Sequence, residues 1–383
     1  MVKGIVRTGD ENGITAPKYY QIKKFIVTKI EKGEFKKGDQ IPSENELAEM
    51  FGVNKNTAVR ALRELVHEGF LFRIQGKGTF VAREKREEKG EVKLLAAIMP
   101  YEGRLSFIGP ILTGCEEEAI RKGYRLLACN NNSPEAEEKH LKELKDKVEG
   151  FIIFHRWGNR NREVIERLVS ENIPFVLVDH YLEGIKTNYV VTDNFKGGYI
   201  ATEHLIKLGH RRIAHITQKE EFTSTRDRER GYRQALIDYG IKVEESLIRR
   251  VGSEEGNGFK TAVELLQEEN FSAIFAANDT FALGCFKATE ILGKKIPQDL
   301  ALVGFGDVEW IIFQKPCLTT VAQPRYEMGK VAVDVLIDSI EGKGKRDYKQ
   351  IQLEPKLIIR SSCGERTGEG VSFDLSTMIL PDW

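Results

Sequence analysis

Seven polar residues stand at the ends of short apolar runs: Tyr101, Asn130, His155, Asp179, Asn278, Asp279 and Asp307. Carboxylates, amides, a phenol and an imidazole gathered in one place can hold neutral hydroxyls without any proton transfer. Asp179 closes Pro-Phe-Val-Leu-Val-Asp, where a carboxylate could accept two sugar hydroxyls; a helix cap or a loop hydrogen bond is the equal alternative. Arg228, in Arg-Glu-Arg-Gly-Tyr, could clamp a hydroxyl pair while an acid holds it in place. Arg226 and Arg230 beside it read as surface ion pairs. A second group lies far upstream, Asn54-Lys55-Asn56-Thr57 with Arg60 a turn later. Asn can pair bidentately with adenine and Lys can donate to guanine, while Arg60 suits a phosphate. For Asn54 and Thr57, capping a helix is the alternative, and the two roles are compatible.

Neither group resembles a catalytic centre. There is no His-Glu-x-x-His, phosphate-binding Walker loop or nucleophile elbow, and the seven histidines do not pair at metal spacing. Gly256-Asn257-Gly258-Phe259-Lys260 reads as a turn into a helix. No catalytic residue, metal or cofactor is expected, and the chain is not expected to be an enzyme. The five cysteines, Cys115, Cys129, Cys285, Cys317 and Cys363, are scattered and odd in number, as suits a reducing cytoplasm. No run approaches a membrane span or a signal peptide, so a cytoplasmic location with no membrane partner is expected.

The upstream group needs a helix to carry it. Ile22, Phe25, Ile26 and Ile30 recur at helical spacing, ending near Gly33. Ser43 caps the next helix, with Glu46 reaching back to it, and Leu47, Met50 and Phe51 form its apolar face. After Gly52 a third helix over 54–67 carries Val59, Leu62, Leu65 and Val66 inward. Three helices with a Gly turn before the third make a helix-turn-helix. Residues 70–74 and 79–81 then form a hairpin, with Gln75-Gly76-Lys77-Gly78 at its tip. There Lys77 can meet a phosphate, and Gln75 or Lys77 a minor-groove edge.

The string from Ile41 to Ala48, then Phe51 to Thr57, Leu65 to Gly69 and Gln75 to Val81 resembles the winged-helix domain of GntR-family transcription regulators. The resemblance implies DNA contacts from Ser43, Asn45, Asn54, Lys55, Asn56, Thr57, Arg60, Gln75 and Lys77. This chain departs at Asn45, where the family usually has Arg. It departs again at Asn54-Lys55, usually Ser-Arg, and at Val59, where Arg is common.

From Leu94 the texture changes. Apolar runs at 94–99, 124–128, 151–154, 175–178, 189–192, 212–217, 273–277 and 300–304 alternate with amphipathic stretches such as 112–121 and 330–340. That alternation predicts a parallel, doubly wound sheet. Its length, some 270 residues, predicts two α/β lobes. Ligands of open α/β sheets sit beyond the carboxyl ends of the strands, where the seven polar residues fall.

The blocks Ala277 to Gly284, Ala301 to Asp307, Leu318 to Pro324 and Leu357 to Ser362 resemble, in this order, the effector domain of LacI-type repressors, related to periplasmic sugar-binding proteins. The resemblance implies two Rossmann-like lobes joined by three crossing segments, a sugar in the cleft and a homodimer through this domain. By position the sugar-binding residues would be Asp179, Arg228, Asn278, Asp279 and Gln323. Asp307 joins them with a role left open, because Gly306 stands where the family commonly has a first acid. Tyr101, Ser106, Phe107, His155 and Trp157 are first-lobe candidates, with core or surface packing the alternative for each.

The organisation expected is therefore a flexible arm over 1–17, a winged helix-turn-helix (α+β) over 18–83 and a linker over 84–92. An α/β periplasmic-binding-protein-like domain of two Rossmann-like lobes follows over 93–365, then an extension over 366–383. The pairing resembles the arabinose-responsive repressors of bacteria. It implies a sequence-specific repressor of sugar-utilisation genes, released from double-stranded operator DNA by L-arabinose. A sugar-dependent activator and a sugar-transport binding protein are the alternatives. The charge agrees with two modules. The 58 basic and 58 acidic residues cancel, yet residues 1–83 hold fifteen basic against ten acidic, so the surplus lies on the module expected to meet DNA.

Overall fold

The computed structural model describes residues 17–74, 76–82, 92–101, 105–219, 222–252, 256, 258–342 and 348–364. The expected N-terminal arm, apart from Pro17, lies outside them, as do the C-terminal extension, most of the linker, and Gln75. The chain forms two compact units, 1–92 and 93–383.

In the first unit, helices α1 (Lys18–Glu31), α2 (Glu44–Phe51) and α3 (Lys55–His67) precede an antiparallel hairpin of β1 (Leu71–Ile74) and β2 (Gly78–Val81). Ser43 starts α2 with a reciprocal cap. Its Oγ accepts from Glu46 N at 3.3 Å, and its own N donates to Glu46 Oε2 at 2.7 Å. Replacing Ser43 with Ala should therefore cost about 1 kcal/mol, read as a lower urea midpoint; an unchanged midpoint would show the cap to be idle. Gly52 ends α2 in the left-handed region, at φ 59°, where a side chain is strained.

Ile22, Ile26, Ile30, Leu47, Leu62, Leu65, Leu71 and Val81 form the core. Three inward assignments change. Met50 is 56% exposed, because the short α2 buries only Leu47 fully. On α3 the buried stripe is Ala58, Ala61, Leu62 and Leu65. Val66 lies on the outer face and Val59 is half-buried. Two small alanines, invisible as hydrophobic anchors, let α3 approach its neighbours.

The second unit runs β3 (Leu94–Met99), α4 (Leu105–Arg121), β4 (Arg125–Asn130), α5 (Pro134–Leu144), β5 (Gly150–Ile153), α6 (Arg162–Ser170), β6 (Phe175–Val178) and β7 (Asn188–Thr192). It continues through α7 (Asn194–Lys207), β8 (Ile213–Gln218), α8 (Thr223–Asp238), β9 (Ile248–Val251), α9 (Phe259–Glu268), β10 (Ala273–Ala276), α10 (Asp279–Ile291) and β11 (Ala301–Gly306). It closes with β12 (Thr319–Ala322), α11 (Arg325–Ile340), β13 (Gln350–Leu353) and β14 (Lys356–Ile358). One sheet has the order β4-β3-β5-β6-β7-β13 and is wholly parallel; the other is β9-β8-β10-β11-β12-β14, parallel except for β14. Helices cover both faces of each sheet, giving two lobes with separate cores. The chain crosses between lobes three times, after Thr192, after Ala322 and after Leu353, because α11 and β13 return to the first lobe.

All eight apolar runs became strands. Four further strands, β9, β12, β13 and β14, were not expected. Thr319 and Thr320 in β12 are polar by type yet fully buried, and β13 is an edge strand of alternating Gln and apolar residues.

Candidate functional site

On the first unit, Asn54 caps α3: its Oδ1 accepts from Thr57 N and from Thr57 Oγ1, both at 2.9 Å. The capping alternative thus holds for both residues, and the Asn54 carbonyl is already engaged for any bidentate base pairing. Arg60 donates to Glu64 at 3.1 Å and lies over the Tyr19 ring at 4.1 Å. Ser43 is engaged in its cap. Asn45, Lys55, Asn56 and Lys77 are exposed, and among the described residues their side chains have no hydrogen-bond partner. Lys55 opens α3, which has no acid in its first turn. A cation at a helix N-terminus is unfavourable by some tenths of a kcal/mol, so the fold gains nothing from it there. A polyanion at this helix end would.

In the second unit the polar residues sit where the strands end. Asp179 follows β6 with φ at 71° and is 8% exposed. Its Oδ2 faces His180 Nδ1 at 3.2 Å, and its Oδ1 is buried without a hydrogen-bond partner. Arg228, on α8 of the other lobe, is 5% exposed. Its Nε donates to Asn194 Oδ1 at 2.8 Å and its Nη1 to the Ala277 carbonyl at 2.7 Å; the guanidinium stacks 3.8 Å over Phe305. Burial lowers its pKa to about 10, opposed by the fields of Asp179 and Asp279, so it stays charged at neutral pH. A buried cation and a buried acid thus face each other from opposite lobes, where a polar ligand can satisfy both.

The lobes also touch. Tyr181 N donates to Thr223 Oγ1 at 3.1 Å, Glu183 pairs with Arg226 at 2.6 Å, and the His180 ring lies 5.0 Å from Phe222. Arg226 and Arg230 are in ion pairs as the sequence implied.

Most of the other candidates are engaged by the protein. Asn278 caps α10, accepting from Phe281 N at 2.8 Å. Asp279 accepts from Thr320 Oγ1 at 2.6 Å and from Val308 N at 3.1 Å. Asp307 accepts from Arg360 at 2.7 Å, and Gln323 from Thr192 Oγ1 at 3.0 Å. His155 is fully buried with its Nδ1 2.8 Å from Glu137, while its carbonyl accepts from His180 Nε2. Asn130 accepts from Tyr101 N at 3.1 Å. The Tyr101 hydroxyl is buried without a partner, and burial pushes its pKa up to about 12. Trp157 donates to Asn131 at 2.8 Å, and Phe107 packs on the cores of both lobes. The Ser106 carbonyl takes a bond from Arg325. Sequence reasoning missed Asn194, Phe305, Phe222 and Thr223. None carries a local signal, since each matters only through a partner far along the chain.

Two buried ionisable groups of the second lobe oppose each other in pH. Burial pushes the Asp279 carboxyl up to about 6. It pushes the imidazole of His215, held between the Tyr232 and Phe275 rings, down to about 4. Between about pH 4 and 6 unfolded Asp279 is ionised while the folded residue keeps its proton, so its contribution to stability falls as pH rises. For His215 the unfolded chain gains a proton below 6.5 that the folded one refuses, so its contribution falls as pH drops. Each is worth about 3 kcal/mol. His215→Phe should therefore lose stability relative to wild type on going from pH 4 to 6, and Asp279→Asn should gain it. Urea unfolding at pH 4, 5 and 6 with equal slopes in all three proteins would refute this.

A helix-turn-helix with a wing, joined to a two-lobed α/β domain with a polar cleft, defines a DNA-binding transcription regulator with a receptor-type second domain. Residues 18–81 match the bacterial regulatory proteins of the gntR family, and residues 202–363 match the periplasmic binding protein-like domain. The arabinose metabolism transcriptional repressor of Geobacillus stearothermophilus is 35% identical over 92% of this chain and 99% of its own length. That of Halalkalibacterium halodurans is 30% identical over 92% and 98%. The crystal structure of a LacI family transcriptional regulator from Enterococcus faecium with bound ribose aligns with a TM-score of 0.60 and 27% identity, covering 70% of this chain and 98% of that one. The chain belongs to the family of transcriptional repressors that the Geobacillus and Halalkalibacterium proteins represent. It is a regulator, not an enzyme. Among the described residues no helix is long and apolar enough to cross a membrane.

Proposed function

We propose that this repressor binds double-stranded operator DNA through α3 and the wing, and that a small sugar in the cleft of the second unit releases it. The observation that carries this is the buried pair at the cleft: Asp179 with an unpartnered carboxylate oxygen, and Arg228 with two of its nitrogens already committed. A carboxylate oxygen buried without a donor is costly, and a sugar hydroxyl would satisfy it. L-arabinose is the effector this reading names, supported by the two relatives that are repressors of arabinose metabolism. Asp179 and Arg228 are the residues assigned to hold it, with no cofactor. The repressor acts in the cytoplasm as a homodimer of the second unit. Large apolar side chains left exposed there, Leu105, Ile120, Ile291 and Phe313, support the dimer.

The test is operator release. A double-stranded site selected in vitro on the pure protein would be titrated by fluorescence anisotropy with L-arabinose, D-ribose and D-glucose in parallel. L-arabinose should weaken operator binding by roughly 5–150-fold, and operator should weaken sugar binding by the same factor. Release by another sugar alone would replace arabinose. Release by none would remove the sugar reading.

A further inference from the structure

The repressor's two lobes are spanned beside the second crossing by one side chain that the sequence did not single out. Arg325 opens α11 directly after Gln323-Pro324. Its Nη1 donates to the Ser106 carbonyl of the first lobe at 2.7 Å, and its Nη2 to the Asp307 carbonyl of the second at 2.8 Å. Both acceptors are prepared for it.

Ser106 lies in the first turn of α4, where its carbonyl would ordinarily accept from the backbone N of residue 110. Residue 110 is proline, inside the helix, and has no N–H to give. The carbonyl is thereby freed, and Arg325 takes it. On the other side, Gly306 at φ 139° and Asp307 at φ 53° turn the chain sharply after β11. The Asp307 carboxylate is pinned by Arg360, which also donates to the Leu318 carbonyl at 2.9 Å. A Cβ on Gly306 would come within 2.9 Å of Asp279 Oδ2, so the turn accepts only glycine there. This accounts for Gly306 at a position where an acid was expected. The Asp307 side chain is used to hold the turn, and its carbonyl faces Arg325. The guanidinium is mostly withdrawn from water, which lowers its pKa, while Asp307, Glu309 and Asp279 act to raise it.

We propose that Arg325 is a positioning residue, a clasp that holds the two lobes in the arrangement where Tyr181 meets Thr223 and His180 meets Phe222, and that it is paired with Pro110, which supplies its acceptor. The regulatory part of this inference rests on the sugar-release reading above; the clasp itself does not. Because one planar guanidinium bonds carbonyls of both lobes at once, opening the lobes breaks at least one bond. A lysine ammonium, a point donor on a flexible stem, cannot replace that fork.

The test uses the full chain and two independent readouts. Nitroxides on p-acetylphenylalanine at positions 142 and 287, exposed sites on α5 and α10, report the interlobe distance by pulsed electron resonance without any sugar. With labelled protein diluted into excess unlabelled protein, so that a dimer carries labels on one subunit, wild type should give one narrow distribution. Arg325→Met and Arg325→Lys should give a longer mean distance or a second population, and Pro110→Ala should move the same way by a smaller amount. Pro110→Ala restores a helical N–H and relieves a proline inside α4, so its thermal midpoint should stay level or rise. A merely structural role would move stability and leave the distance alone. An unchanged distance in the Arg325 variants overturns the clasp.

The second readout is the L-arabinose concentration that half-releases operator. It should rise about tenfold in Arg325→Met, within the usual range of such couplings, with sugar-free operator affinity no weaker than in wild type. A midpoint within twofold of wild type, or below it, overturns the regulatory role. Wild-type protein that ignores L-arabinose, while the distances shift as described, overturns the effector assignment and leaves the clasp standing.

Discussion

Replacing Arg228 with Met should abolish the sugar response while sparing operator binding. The effector Kd should rise by at least about 100-fold, roughly 3 kcal/mol, as expected when a charged hydrogen-bonding partner leaves a buried polar site. The methionine stem still covers Phe305, where the guanidinium now stacks at 3.8 Å. It cannot donate to Asn194 Oδ1 or the Ala277 carbonyl, and Asp179 loses the cation whose field reaches it. Two acceptors left buried cost stability of about 1–3 kcal/mol each at most, so the variant is to be compared with Arg228→Lys, which keeps the charge and loses the fork. Operator affinity without sugar should match wild type, because α3 and the wing belong to a separate compact unit. Calorimetric titration with L-arabinose and anisotropy with operator separate the two effects. Sugar affinity within fivefold of wild type in Arg228→Met would remove Arg228 from the site.

The companion change lies on the DNA side. Replacing both Lys55 and Asn56 with Ala should weaken operator binding by about 1–3 kcal/mol for each side chain that reads a base edge, leaving the sugar Kd unchanged. Binding that keeps its affinity would place the base-reading residues elsewhere on the unit.

The elements that position these residues were legible wherever one local rule decided them. Ser43 and Glu46 signalled the start of α2, Gly52 its end, and every unbroken apolar run became a strand, buried on both faces except at the edge strand β4. What escaped was decided by distant partners. Thr319 and Thr320 are polar, yet their hydroxyls are paired inside the lobe, that of Thr320 with Asp279. No local pattern announces a strand built on such pairing. The same limit governs the site. Asp179, Asn278, Asp279 and Asp307 are alike in sequence, each a polar residue ending an apolar run. The fold separates them by what else they meet. Asp279 and Asp307 are taken up by Thr320, Val308 and Arg360, and Asn278 by the first turn of α10. Asp179 alone of the four keeps a buried oxygen without a partner.

Gly231→Ala should be the most destabilising single methyl in the second lobe, and it should take the sugar site with it. Helices α7 and α8 cross at Gly198 and Gly231. A Cβ on Gly231 would overlap the Phe195 carbonyl and lie 2.6 Å from Tyr199 N; one on Gly198 would overlap the Arg228 carbonyl. These are backbone atoms of a packed helix and cannot swing aside, so the helices must part. Overpacking of this kind costs about 3 kcal/mol or more, which for a unit of this size lowers the thermal midpoint by about 5 °C or more. Arg228 is on α8, one turn before Gly231, and its partner Asn194 opens α7. Parting the helices therefore stretches the 2.8 Å bond that aims the guanidinium. The first lobe supplies the control. There α4 and α11 cross at Gly114 and Gly329, where a Cβ would overlap the Tyr326 and Ile111 carbonyls. Gly329→Ala should destabilise by a similar amount, yet Arg228 and Asn194 are not on those helices. Because α4 and α11 also carry the two ends of the Arg325–Ser106 bond, Gly329→Ala should shift the sugar response by no more than the roughly tenfold of clasp loss, below the lowered midpoint, against a larger loss in Gly231→Ala. Equal losses of affinity in the two variants would mean that α7–α8 packing does not aim Arg228, and a Gly231→Ala midpoint within about 2 °C of wild type would mean that the crossing is not tight.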